Sequence, residues 1–198
     1  MRRIIAVALL LCALTGMASA DDFGQSYDLF ETRYADNIAF INENTGRFLL
    51  ALAFSGSFNS NGERIYVLES GALYAEVKLD DMASQIASCR ITLTAPEGMT
   101  QGDSRYNDFA ISGYQSYALL MAMHDSEDAY QRYLLVEEVN NGLAAGGGEY
   151  ETQVGDYRLT CTSKDGVATI LFENELLLGV EIEEDEPEEE LPVIEIRE

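Results

Sequence analysis

The sequence predicts an α+β fold: one antiparallel sheet with helices packed on one face, in the order helix, three to four strands, two helices, two to three strands. Three observations predict it. Apolar residues recur at helical spacing in three separate stretches. Other runs alternate apolar and polar side chains with period two, the pattern of a strand with one face buried and one wet. Turn-forming pairs, Asn61-Gly62, Ser70-Gly71 and Asp165-Gly166, separate those runs at hairpin distances. Strands joined by hairpins, with helices grouped between them, make a layered α+β structure. A helix-plus-hairpin unit occurs twice in this order, as an old duplication would leave it, although no residue-level repeat accompanies it.

The elements follow in order. Phe23, Tyr27, Phe30, Tyr34, Ile38 and Ile41 are spaced by three or four residues and share one helix face, with Thr45-Gly46 as the stop. Phe48 to Phe54 is a short apolar run and reads as a strand. Ile65 to Leu68 and Leu73 to Leu79 read as paired strands, and Ala87, Cys89, Ile91 and Leu93 form the buried side of a third. Pro96 and Gly98 end this sheet segment. Asp103 or Ser104 caps the second helix, whose stripe is Tyr106, Phe109, Gly113, Tyr117, Leu120 and His124. The third helix starts at Ser126, buries Ala129, Tyr133, Val136, Val139 and Leu143, and stops at Asn140-Asn141-Gly142. Gly146-Gly147-Gly148 is a flexible joint. Tyr157, Leu159 and Cys161 alternate with Arg158, Thr160 and Thr162, and Val167 to Phe172 returns as the partner strand. Asn174-Glu175 turns into a final stretch, Leu176 to Ile182.

Flanking segments divide the 198 residues into three parts. Residues 1–20 have a basic start at Arg2 and Arg3, an apolar run from Ile4 to Leu14, and Ala18-Ser19-Ala20, the pattern of a cleaved export signal. Leu11 precedes Cys12, so the small residue that usually precedes a lipid-bearing cysteine is lacking. Residues 21–180 form a single α+β domain by this reading, and the protein is expected outside the cytoplasmic membrane, extracellular or periplasmic, with no membrane insertion after cleavage. Residues 181–198 carry ten acids and one arginine, and are expected to form a disordered acidic tail.

The formal net charge is −23, with 12 Lys plus Arg against 35 Asp plus Glu. Phosphate contacts are made by cations, so nucleic acid and anionic membrane surfaces are poor partners. A basic or cell-surface protein suits this surface better, through the acidic tail.

Catalytic signatures are lacking. No nucleophile elbow, phosphate-binding loop or dinucleotide fingerprint occurs, and no cofactor is implied. A single histidine, His124, rules out a multi-histidine metal site and reads as a cation at the end of the second helix. The acidic clusters Asp80-Asp81 and Asp125-Ser126-Glu127-Asp128 lack the spacing of a calcium loop. Cys89 and Cys161 lie on the apolar faces of their strands. In an exported chain they form a disulfide, or else two unpaired core thiols. Tyr27, Tyr34, Tyr106, Tyr117 and Tyr133 fall on apolar stripes and are expected in the core. Tyr74, Tyr114 and Tyr130 fall off those stripes and are the candidate binding residues, since exposed aromatics are favoured at binding surfaces.

The export signal and tyrosine-rich acidic chain resemble the small exported proteins of bacteria. Over residues 25–173 the order of elements also resembles β-lactamase-inhibitor-like modules, which bind proteins with helices paired to an antiparallel sheet. No motif is shared with these modules, so the resemblance carries no binding residue over. The expected function is a non-catalytic exported binding module. The alternatives are a carboxylate-dependent hydrolase, which needs two acids about 5–10 Å apart in one cleft, and a cation-responsive structural protein.

Overall fold

The computed structural model describes residues 24–80, 85–100 and 102–178. The segment expected to be an export signal, Phe23, Asp81, the strand residues expected beyond Leu178 and the acidic tail lie outside the described residues.

Helix α1 spans Tyr27–Thr45, α2 Arg105–Ala122 and α3 Ala129–Ala145. The strands are β1 Ser55–Phe58, β2 Arg64–Ser70, β3 Leu73–Leu79, β4 Ile86–Thr94, β5 Glu149–Val154, β6 Tyr157–Lys164 and β7 Val167–Glu173. Among the described residues they form one sheet in the order β1-β2-β3-β4-β7-β6-β5, every neighbouring pair antiparallel. Two hairpin meanders thus meet through their last strands, with Ile91 opposite Ile170.

The predicted alternation decides which face is buried. Leu73, Ala75, Val77 and Leu79 on β3, Cys89 and Ile91 on β4, Phe172 on β7, and Leu159 and Cys161 on β6 are all at most 2 % exposed. They pack with Phe30, Tyr34, Leu119, Leu120 and Met121 of the helices in one core. Each large apolar side chain buried there contributes roughly 1.5–3 kcal/mol of transfer free energy. Tyr74, Glu76, Lys78, Arg90, Thr92 and Thr160 alternate with these residues and form the opposite, helix-free face.

Helix α1 starts where Ser26 Oγ accepts the Leu29 amide at 3.3 Å and stops at Gly46, whose φ of 67° is left-handed and favours glycine. Asp128, not Ser126, caps α3: its Oδ1 accepts the amides of Tyr130 and Gln131 at 2.7 and 3.2 Å. Asp103, not Ser104, takes the exposed amide at the start of α2, with Oδ1 accepting from Arg105 N at 2.9 Å.

Several expectations are corrected. Phe48 to Phe54 joins no ladder and is not a strand. The Asn42 side chain exchanges hydrogen bonds with the Leu49 backbone, and Tyr34 Oη accepts the Leu52 amide, so this segment lies along α1 instead of the sheet. The strand that follows it is Ser55–Phe58, an exposed edge. Strand β5 has no counterpart in the expected order: Glu149, Glu151 and Gln153 alternate with Tyr150, Thr152 and Val154, too few apolar residues to stand out. Leu176 to Leu178 continue a turn, with the Leu177 and Leu178 amides donating to Asn174 O at 3.2 and 3.1 Å.

The stripe expected on α2 is also displaced. Its buried residues are Ser112, Gln115, Ser116 and Ala118 to Ala122, whereas Tyr106 is 39 % exposed. The helix packs against both α1 and α3 as well as the sheet, so residues from several sides of it are buried and the tyrosines are displaced to its edge.

Cys89 and Cys161 are both free and buried, and no disulfide joins them. Strand β7 lies between β4 and β6, so the two cysteines are two interstrand spacings apart across the sheet, about 10 Å, and are also offset by two residues along it. A bridge needs Cα atoms within about 7 Å.

Candidate functional site

Two arginines fix the helices against one another. Arg33 of α1 donates through Nη1 to His124 O at 3.0 Å, and through Nη2 to Asp125 O at 2.6 Å and Glu127 Oε1 at 3.0 Å. Arg132 of α3 donates through Nη1 to Ser126 O and Glu127 O, both at 3.0 Å, and through Nε to Asn37 Oδ1 at 2.8 Å. Asn37 Nδ2 donates onward to Ala118 O of α2 at 3.0 Å. The connection between α2 and α3 is thus gathered by charged donors on its carbonyls, the stronger kind of hydrogen bond.

This network explains the acidic cluster at residues 125–128. Asp125 and Ser126 supply carbonyls, Glu127 pairs with Arg33, and Asp128 caps α3. His124 is explained locally too. Its Nδ1 accepts the Ser126 amide at 3.0 Å and lies 3.2 Å from Asp125 Oδ1, so the ring shapes the turn and not the helix end. Among the described residues, no group of three or more His, Cys, Asp or Glu is placed to hold a metal ion, and no helix is long and apolar enough to cross a membrane.

One helical turn from Asn37, the same three helices open a cleft of about 310 Å³. Phe40, Ile41, Asn44 and Thr45 of α1 form one wall, Tyr114 and Tyr117 of α2 a second, and Tyr130 and Tyr133 of α3 the third. Tyr114 and Tyr117 meet edge to face, with centroids 6.4 Å apart, and Phe40 packs on Tyr133 at 6.2 Å. The Arg47 guanidinium lies 4.7 Å from the centroid of Tyr114. Helical spacing explains the arrangement: residues three apart, 114 with 117 and 130 with 133, share an edge of their helix.

Of the three candidate tyrosines, the structure brings Tyr114 and Tyr130 together and separates Tyr74 from them. Tyr74 stands on the helix-free face of the sheet, where its hydroxyl donates to Glu76 Oε2 at 2.9 Å. Tyr117 and Tyr133, expected in the core, are half-buried members of the cleft. Phe40 carried no signal in the sequence, because it lies beside the apolar stripe of α1 and only a neighbouring helix gives it a role.

The cleft hydroxyls are open, a property they share with those of Tyr27, Tyr66 and Tyr106 among the described residues. Those of Tyr34, Tyr74, Tyr150 and Tyr157 are engaged by backbone or carboxylate partners. Those of Tyr114, Tyr117, Tyr130 and Tyr133 make no hydrogen bond among the described residues. A second cleft, about 520 Å³, lies at the start of α1 between Arg33, Asp125, Asp156 and Tyr157. Its polar groups serve the fold. Asp156 Oδ2 accepts the Gly24 amide at 3.1 Å, Tyr157 Oη accepts the Gln25 amide and donates to Ile86 O, both at 2.8 Å, and Gln25 Nε2 donates to Ala122 O at 2.9 Å.

No family model, curated protein or solved structure matches the chain. The element-order resemblance to inhibitor-like modules therefore contributes no site residue, and the functional reading rests on the chain's own side chains.

Proposed function

We infer that the protein is an exported, non-catalytic binding module whose ligand enters the tyrosine cleft between the three helices. One observation carries this reading. Four tyrosines from two helices converge with Phe40 on a cleft that no described side chain fills, with their hydroxyls unengaged by the described residues. A concave, mainly apolar site with a few convergent polar groups is the usual form of a ligand pocket. The rival hydrolase reading has a specific candidate in Asp125 and Asp156, which line one cleft. It is weaker, because Asp156 is held by a backbone amide and the Asp125 side chain is 83 % exposed.

Affinity capture tests the reading. The intact protein, a Tyr114→Ala/Tyr130→Ala variant and a form without residues 181–198 are immobilised and exposed to secreted and surface fractions of the source culture. A ligand retained by the intact and tail-less forms and lost by the double variant supports the cleft. A basic or cell-surface protein that is released at moderate salt and lost with the tail assigns the function to the acidic segment instead.

A further inference from the structure

The tyrosine cleft has a charge preference. Among the described residues its walls hold five aromatic rings and no acidic or basic side chain. The face of an aromatic ring carries the negative lobe of its quadrupole and attracts cations within about 6 Å of the centroid. One ring already does so, since the Arg47 guanidinium sits over Tyr114. Asn44 and Thr45 belong to the last turn of α1, where the helix dipole is negative and which itself holds no basic residue. At long range, the chain's formal charge of −23 draws cations toward the surface. These contributions all favour a cation.

The kind of cation follows from what the walls lack. A metal ion or primary ammonium is strongly hydrated, and an uncharged aromatic wall replaces less of that hydration than charged or carbonyl oxygens do. A quaternary ammonium spreads its charge over methyl groups and is weakly hydrated, so the rings attract it both as a cation and as an apolar body. The cleft volume holds such a head group with a short polar chain. Asn44 Nδ2 is engaged by Phe40 O at 2.8 Å, which leaves its side-chain oxygen and the four phenols to meet that chain. We propose that the cleft is a site for a small, free quaternary ammonium compound of the choline type. The proposal rests on the reading of this cleft as the ligand site. Arg47 is the local competitor, because its guanidinium occupies a face of Tyr114.

Calorimetric titration of the intact protein with choline, and with its neutral carbon isostere 3,3-dimethyl-1-butanol, tests it. The expected result is saturable choline binding, with the isostere at least about tenfold weaker. Arg47→Ala raises the affinity for choline several-fold, and by more than it raises that for the isostere, since it frees a face of Tyr114 and removes a like charge. Tyr130→Ala abolishes choline binding with the thermal midpoint kept, since Tyr130 is 57 % exposed and outside the core. An isostere bound as tightly as choline overturns the cation preference and leaves the cleft a ligand site. Choline binding undiminished in Tyr130→Ala overturns the proposal by placing the ligand elsewhere. Association with phosphatidylcholine vesicles without choline binding overturns the free-compound source. Binding of neither compound, with other ligands still lost on Tyr114→Ala/Tyr130→Ala, overturns the proposal alone.

Discussion

Arg132 of α3 donates through Nε to Oδ1 of Asn37 of α1 at 2.8 Å, and Asn37 donates in turn to a carbonyl of α2. Both residues are almost wholly buried, at 2 % and 0 % exposed. One side-chain amide therefore satisfies a cation and a helix carbonyl at once, and sets the spacing of the helices that carry the tyrosines.

Asn37→Ala leaves a buried guanidinium N–H without its partner and removes the side-chain donor to the Ala118 carbonyl. A lost charged hydrogen bond together with the orphaned buried donor is worth about 3 kcal/mol. Urea unfolding is expected to show a loss of about that size with an unchanged slope. A loss under about 0.5 kcal/mol would mean that the helices are spaced by apolar packing alone.

Gly142 lies inside α3, although Asn140-Asn141-Gly142 reads as the end of the helix. A Cβ at Gly142 would stand 2.2 Å from Cδ2 of Tyr150, whose hydroxyl donates to Glu138 Oε1 at 2.5 Å. In an open helix, Gly→Ala stabilises by about 1 kcal/mol. Here Gly142→Ala must displace the Tyr150 ring, and a cost of about 1–3 kcal/mol is expected. A rise in thermal midpoint on this substitution contradicts the close packing of β5 on α3.

Burial pushes the Cys89 and Cys161 thiols up to about 12. The native state therefore keeps protons that the unfolded chain releases, and stability is full below the ordinary thiol range. It falls as pH rises from about 9 toward 12, by about 1.4 kcal/mol per pH unit for each thiol. In the folded protein neither thiol should react with an alkylating reagent at pH 8, and both should react in urea. Rapid labelling of either under native conditions would place it outside the core described here.

The sheet was legible because its strands obey a period of two. Leu73 to Leu79 and Ala87 to Leu93 have one wet face, so the alternation states both the element and its orientation. Helix α1 was legible for the same reason at period 3.6. Where an element is buried on several sides the pattern fails: α2 hides Ser112, Gln115 and Ser116 and leaves Tyr106 exposed, because its neighbours are helices as well as the sheet. The Phe48 to Phe54 segment misled because its backbone partners are side chains of α1, which composition does not reveal. Tyr114 and Tyr130 could be singled out because they leave the apolar stripe. That Tyr117, Tyr133 and Phe40 join them depends on the packing of three helices and has no local signature.

Site-resolved tyrosine-ring resonances test the central claim most directly, since each candidate site carries its own ring. Tyr114, Tyr117, Tyr130 and Tyr133 report on the cleft, Tyr157 on the polar cleft beside Arg33, and Tyr74 on the helix-free sheet face. Titration with a panel of cationic, aromatic and sugar fragments is predicted to shift the four cleft rings saturably and together, with Tyr74 and Tyr157 unmoved. Saturable shifts confined to Tyr74 or Tyr157, with the four cleft rings silent, would contradict the account and move the binding site away from the helices.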